Sequence, residues 1–227
     1  MKSCKKVIST ALISGFIVST PLMAVEQGDI LVRARIINIA PDVGSNDITD
    51  MSGTSLGLGG IDVDDATTLD IDFTYMVTNN FGIELLLDLT STHDISGTGG
   101  LSGVNIGEVT VLPPSLIAQW HFLPANNIRP YAGAGINYTI FFDESTHSDL
   151  TNGLGATSTG VSVDDAFGLV AQAGVDIDIN KDWYVNFDAK YIALDTTATI
   201  QVDGMDTAKV DFDLNPWVFG VGIGTSF

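Results

Sequence analysis

Along this chain large apolar residues recur at every second position, with polar or small residues between them. The C-terminal run places Trp217, Phe219, Val221, Ile223, Thr225 and Phe227 on one parity and Val218, Gly220, Gly222, Gly224 and Ser226 on the other. A period of two is that of a β-strand, here with one bulky apolar face and one face of small residues. The same split runs through Trp183, Val185, Phe187, Ala189 and Tyr191 against Tyr184, Asn186, Asp188 and Lys190, and through Leu69, Ile71, Phe73, Tyr75 and Val77 against Asp70, Asp72 and Thr74. Ile30, Val32, Ala34 and Ile36 stand opposite Arg33 and Arg35; Phe81, Ile83, Leu85 and Leu87 stand opposite Glu84 and Asp88. Leu169, Ala171, Ala173, Val175 and Ile177 alternate with Gln172, Asp176 and Asp178. Two further strands are predicted near 115–123 and 128–142, where alternation is weaker but β-branched and aromatic residues and flanking prolines mark them. The pattern therefore predicts an all-β chain of about eight strands, the smallest transmembrane barrel.

The connections orient such a barrel. Short turns at 78–80, 124–127 and 180–182 alternate with long segments near 40–66, 92–112, 143–165 and 195–210. Short periplasmic turns and long extracellular loops are the signature of an eight-stranded antiparallel outer-membrane barrel. A soluble barrel would turn its polar face outward, whereas here the apolar parity is the majority face and the charges fall on the other.

Composition sharpens this picture at three points. Only 16% of the 227 residues are charged, yet the formal charge is -19. Nine Lys and Arg against 28 Asp and Glu exclude a nucleic-acid partner, because little is available to neutralise phosphates. Lys2, Lys5 and Lys6 precede an apolar run from Val7 to Val18 and a small residue, Ala24, which reads as a secretory signal peptide over 1–24 with the barrel over 25–227. Removing it leaves six basic and 28 acidic residues, net -22, and takes away Cys4, so no disulfide or thiol chemistry is expected after export.

Several strings then carry a resemblance: Phe73-Thr74-Tyr75-Met76, Leu112-Pro113-Pro114-Ser115-Leu116 running into Ala118-Gln119-Trp120, Arg129-Pro130-Tyr131-Ala132-Gly133-Ala134-Gly135, Asp195-Thr196-Thr197-Ala198 and Asn215-Pro216-Trp217-Val218-Phe219. In order and spacing they resemble the outer-membrane protein W (OmpW) family, with its AlkL-type alkane-uptake members, over essentially the whole mature chain. The resemblance implies a barrel of the Gram-negative outer membrane, passive uptake of small hydrophobic molecules through an extracellular apolar channel, and lateral exit into the bilayer. It implies neither enzyme activity nor a cofactor.

The residues suit that mechanism in part. Arg33, Arg35 and Lys190 are expected to pair across the lumen with Asp70, Asp72, Glu84, Asp88 and Asp188, which plugs a narrow barrel against ions. Pro113 and Pro114 stand where the second long segment meets the fourth strand. They either end a loop at a strand's first position or break the ladder between strands three and four, and the resemblance favours the second, with Leu112 and Leu116 as an apolar rim. Leu56 and Phe167 join Leu58 as candidate channel residues, the last two by alignment with the family's apolar constriction, and apolar residues of the long segments, Val109 and Val111 in the second and Val161 and Val163 in the third, either line a vestibule there or pack together to cap the barrel. Trp120, Tyr131, Trp183, Tyr184 and Trp217 read as interfacial girdle residues. His93, His121 and His147 lack metal-ligand spacing, so no metal or catalytic site is assigned. The acidic stretches at 62–65, 143–144 and 164–165 read as a solvated surface near lipopolysaccharide. Terminal Phe227 resembles the signal read by the outer-membrane assembly machinery. The expected partners are outer-membrane lipid and lipopolysaccharide, small hydrophobic solutes and that machinery, with the barrel a monomer. Two other functions stay open: a surface receptor or adhesion barrel for phage, colicin or host factors, and a narrow cation-preferring pore.

Overall fold

The computed structural model describes residues 24–227, so the expected signal peptide lies outside the described residues except at Ala24. Eight antiparallel strands close on themselves: β1 (Ile30–Ala40), β2 (Ala66–Met76), β3 (Phe81–Asp88), β4 (Ser115–His121), β5 (Ile128–Thr146), β6 (Ala166–Asp178), β7 (Tyr184–Ala193) and β8 (Trp217–Ser226). Each pairs with the next, and β1 pairs with β8 from Leu31–Ser226 to Ala40–Trp217, which completes the barrel. Closure joins the first strand to the last, so the sheet has no free edge strand in the bilayer, which is why a chain of short alternating strands can span it.

The two faces follow the parity. Ile71, Phe73, Leu85, Leu87, Trp120, Phe187, Phe219, Val221 and Ile223 are exposed on the outer wall, while Arg33, Arg35, Asp70, Asp72, Glu84, Asp176, Asp188 and Lys190 are buried in the lumen. The small-residue face of β8 makes room for the lumen's large side chains. A Cβ on Gly224 would lie 2.4 Å from the ring of Tyr184, and one on Gly174 would lie 2.3 Å from the hydroxyl of Tyr131. Gly224→Val is therefore expected to destabilise the barrel by at least about 2 kcal/mol, read as a lower urea midpoint in lipid vesicles; an unchanged midpoint would mean that Tyr184 moves aside freely.

The segments expected as extracellular loops carry more regular structure than their sequence suggests. The hairpin of Ser91–Gly97 and Asn105–Leu112 continues the barrel wall upward, paired on one side with Ile61–Val63 and on the other with the distal half of β5. A second hairpin, Asp195–Val202 with Met205–Asp213, is flanked by Thr159–Val163 and by short pieces of the first loop. One short helix, α1 (Ser148–Leu154), ends at Gly155 in the left-handed conformation. Ile37, Ile39, Ile95, Ile106, Phe141, Ile192 and Phe212 belong to one apolar cluster beneath these hairpins. Strands outside the membrane lack an apolar outer face, so the period-two signal fades in these segments and their sequence reads as loop.

Candidate functional site

The periplasmic half of the lumen is filled by ion pairs. Arg33 Nη1 lies 2.9 Å from Asp72 and donates to Thr74 at 3.0 Å, while its Nε and Nη2 grip both oxygens of Asp176 at 3.2 and 2.9 Å. Arg35 reaches Asp70 and Asp72, each at 2.8 Å, and Lys190 lies 2.5 Å from Asp188 and 3.8 Å from Asp70. Glu84 accepts from Gln119 at 2.6 Å and from Gln172 at 3.1 Å. Forked guanidinium–carboxylate contacts of this kind are what lets charge stay buried.

Several members of this network escaped the sequence reading. Tyr131 and Tyr184, expected in the membrane girdle, are 2% and 0% exposed and face the lumen. Tyr131 donates to Asp188 at 2.7 Å, the Arg33 guanidinium lies 5.0 Å from its ring centre, and Arg129 lies 5.1 Å from that of Tyr184. Arg129 pairs with Asp178, and His121 stacks on Tyr131 with ring centres 5.4 Å apart. Tyr184 shares the parity of Asn186, Asp188 and Lys190, which was the available signal; its aromatic character pointed the other way. Trp120, Trp183 and Trp217 are on the exposed wall.

Above the charges the lumen changes character. A narrow apolar pocket of about 50 Å³ is walled by residues such as Ile39, Val109, Val111, Phe141, Leu194 and Phe212. His93 lines it too. Its Nδ1–H donates to the Asp64 carbonyl at 2.8 Å and its Nε2 accepts from Ser91 Oγ at 3.0 Å. Burial pushes this imidazole below its ordinary value despite the carbonyl, so at neutral pH the wall carries no positive charge there. The pocket draws on strands far apart in sequence; of the seven residues expected at the channel constriction or exit Pro113 lines it, joined by Val109, Val111 and Val163 from the apolar long segments.

The others lie elsewhere. Leu56 is exposed and Leu58 half-buried, both in the first loop, which Asp47 organises by accepting from Ser55 Oγ and from the Gly59 amide at 2.7 Å. Phe167 is 74% exposed on the outer wall, against Tyr138 at 4.6 Å between ring centres, so it does not line the pocket; its place one residue into β6 gives it the outward parity. Leu116 is exposed and Leu112 and Pro114 are half-buried on the outer side. Phe227 sits at the β1–β8 seam, exchanging backbone hydrogen bonds with Ile30 at 3.0 and 3.1 Å.

The prolines coincide with a break in the wall. β3 and β4 pair from Phe81–Trp120 to Leu86–Ser115, and pairing across the same seam resumes only at Ser91–Val111. Between those points residues 87–90 and 112–114 face each other without a ladder. On the other side the chain through the prolines stays attached to β5, where the Tyr138 amide donates to the Pro114 carbonyl at 3.0 Å. Leu87, Leu89 and Leu116 are exposed beside the gap, and Pro113 and Asp88, on its two sides, also line the pocket.

With the geometry in place, the OmpW family model matches residues 26–227. The chain belongs to the OmpW family. This OmpW-family barrel is 37% identical over 212 residues to outer membrane protein W of Vibrio cholerae, covering 92% of this chain and 93% of that protein. It is 27% identical over 212 residues to the dibenzothiophene metabolism operon protein PahQ of Pseudomonas aeruginosa, covering 93% and 94%. The crystal structure of the outer membrane protein OprG from Pseudomonas aeruginosa superimposes with a TM-score of 0.82 at 31% identity, covering 91% of this chain and 99% of that one. The OmpW-family barrel is an outer-membrane protein, held in the lipid bilayer by its apolar outer wall.

Proposed function

We propose that the barrel is a passive channel for small hydrophobic molecules, which enter the apolar pocket from the extracellular side and leave sideways into the outer leaflet through the gap at Pro113–Pro114. The observation that carries this reading is the stacking of three features along the lumen. An apolar pocket lies above an ion-paired plug, and one wall of the pocket is the wall whose ladder is interrupted. An apolar solute descending the lumen meets desolvated, paired charge, so its lowest-energy path is lateral. Partition supplies the driving force: each CH₂ removed from water contributes about 0.8 kcal/mol, so the protein only has to bypass the polar lipopolysaccharide layer. The relative whose name ties it to dibenzothiophene metabolism points to the same class of solute. Against a cation-preferring pore stands the plug itself, whose arginines and carboxylates are spent on one another.

The test is a paired uptake assay in cells with an intact outer membrane, using labelled n-octane and a small sugar. Placing a carboxylate in the pocket wall, Phe141→Asp or Val109→Asp, is expected to slow octane uptake about tenfold while sugar uptake is unchanged, because the solute then has to pass a hydrated charge. Equal slowing of both, or octane uptake no faster than in cells lacking the protein, overturns the proposal.

A further inference from the structure

Asp88 is the one acidic residue in the wall of a pocket that is otherwise mostly apolar. It is 6% exposed, and its Oδ1 is buried with no hydrogen-bond partner. The cations of the plug are engaged elsewhere: Lys190 with Asp188 and Asp70, Arg35 with Asp70, Asp72 and Asp188. His93 and Thr139, which share the pocket wall, have their own partners in Ser91 and the Asp64 carbonyl and in Asn137. A buried acceptor left without a donor destabilises the fold, and an apolar side chain of similar size at 88 would avoid that cost. The position is also special in the wall, because residue 88 ends β3 at the edge of the ladder gap, across from Pro113.

We infer that Asp88 is a specificity-determining residue of the channel. It accepts a hydrogen bond from the polar head of the solute, so the preferred substrates are apolar molecules with a single donor group, such as long-chain alcohols, phenols or amines, rather than bare hydrocarbons. The pocket holds the apolar body, and Asp88 orients the head toward the plug while the tail lies toward the gap. A site built around one buried acceptor discriminates strongly between a ligand that satisfies it and one that does not. The inference rests on the channel reading above and deepens it.

The experiment is competition for uptake of labelled n-octane in cells with complete lipopolysaccharide that carry the wild type, Asp88→Leu, Asp88→Asn or no copy. The readout is the free competitor concentration, corrected for partition into lipid, that halves uptake. In the wild type 1-octanol and octylamine are expected to compete at about tenfold lower concentration than unlabelled n-octane, the discrimination of one charge-assisted hydrogen bond. In Asp88→Leu the three competitors become equal. Asp88→Asn keeps an oxygen acceptor, so 1-octanol retains its advantage and octylamine loses most of it. Asp88→Leu is also expected to have a higher urea midpoint than the wild type, which shows that any loss is not misfolding. If octane uptake is well above background in the wild type and the three competitors are equal there, or keep their order in Asp88→Leu, the role of Asp88 is overturned and the channel stands. If the wild type gives octane no advantage over cells without it, the channel reading falls and the substrate preference with it.

Discussion

Replacing Pro113 and Pro114 together with valine is expected to lower alkane uptake about tenfold while the barrel still folds, inserts and leaves sugar uptake unchanged. The Pro114 carbonyl accepts from the Tyr138 amide, so residue 114 turns its polar groups toward β5; by strand alternation the backbone nitrogen of residue 113 faces β3, while the Pro113 carbonyl accepts from the Asn137 side chain at 3.0 Å. Proline has no N–H to offer at either place. A valine at 113 supplies a donor facing residues 87–90, where the ladder is missing, and a β-branched side chain suits an extended strand. Pro113→Val alone should therefore produce most of the effect and Pro114→Val little, since residue 114 belongs to the seam that is already paired. Amide hydrogen exchange should show a protected N–H at position 113 in the variant. Unchanged alkane uptake in a protein that has gained that protection would mean that solutes leave by another route.

Arg33→Met is expected to cost about 3–5 kcal/mol of stability, the usual consequence of removing one partner from a buried ion-pair network. Arg33 holds Asp72, Asp176 and Thr74 at once and lies under the rings of Tyr131 and Tyr184, so its loss strands two carboxylates in a space closed to water. Urea unfolding in lipid vesicles measures the change. Lysine at 33 should recover little, because a single ammonium cannot occupy both oxygens of Asp176 and reach Asp72 as the planar fork does. The double variant Arg33→Met with Asp176→Leu should lose less than the two single changes summed, since removing both partners removes the stranded charge. A loss under about 1 kcal/mol for Arg33→Met would mean that the lumen is wet enough to solvate the released carboxylates, and would return weight to an ion-conducting reading.

The separation between local pattern and assembled lumen runs through particular residues. Arg33, Asp70, Glu84 and Lys190 could be placed on the inner face from the sequence, because side chains alternate across a strand whatever its neighbours are. The strand number and the orientation followed from alternation and from the rhythm of short and long connections, whereas residues that cannot donate left a loop end and a break between strands three and four both open, and only the family resemblance favoured the break. Which charge meets which could not be read that way. Arg33 finds Asp176 across 143 residues of sequence because β1 and β6 face each other through the lumen, and that depends on the register and stagger of all eight strands. Tyr131 and Tyr184 have the inward parity, but only the space left by Gly174 and Gly224 turns them from membrane anchors into lumen residues.

The extracellular half shows the limit most clearly. Its pocket collects Ile39, Val109, Phe141, Leu194 and Phe212 from five segments; the apolar content of the long segments marked Val109, and nothing local marked the other four. Leu56, Leu58 and Phe167 were apolar and near the right strands, yet one sits at a loop tip, one is tied into a loop ordered by Asp47, and one faces outward. Asp88 looked like another member of the plug, and in the barrel the cations lie closer to other carboxylates. The sequence by itself determined an exported outer-membrane barrel, its eight strands and their two faces, since these depend on period, composition and turn length. Only the tertiary structure decided the partners inside it, the walls of the pocket and the buried Asp88 oxygen left without a hydrogen bond, because those depend on distances between segments that no local pattern encodes.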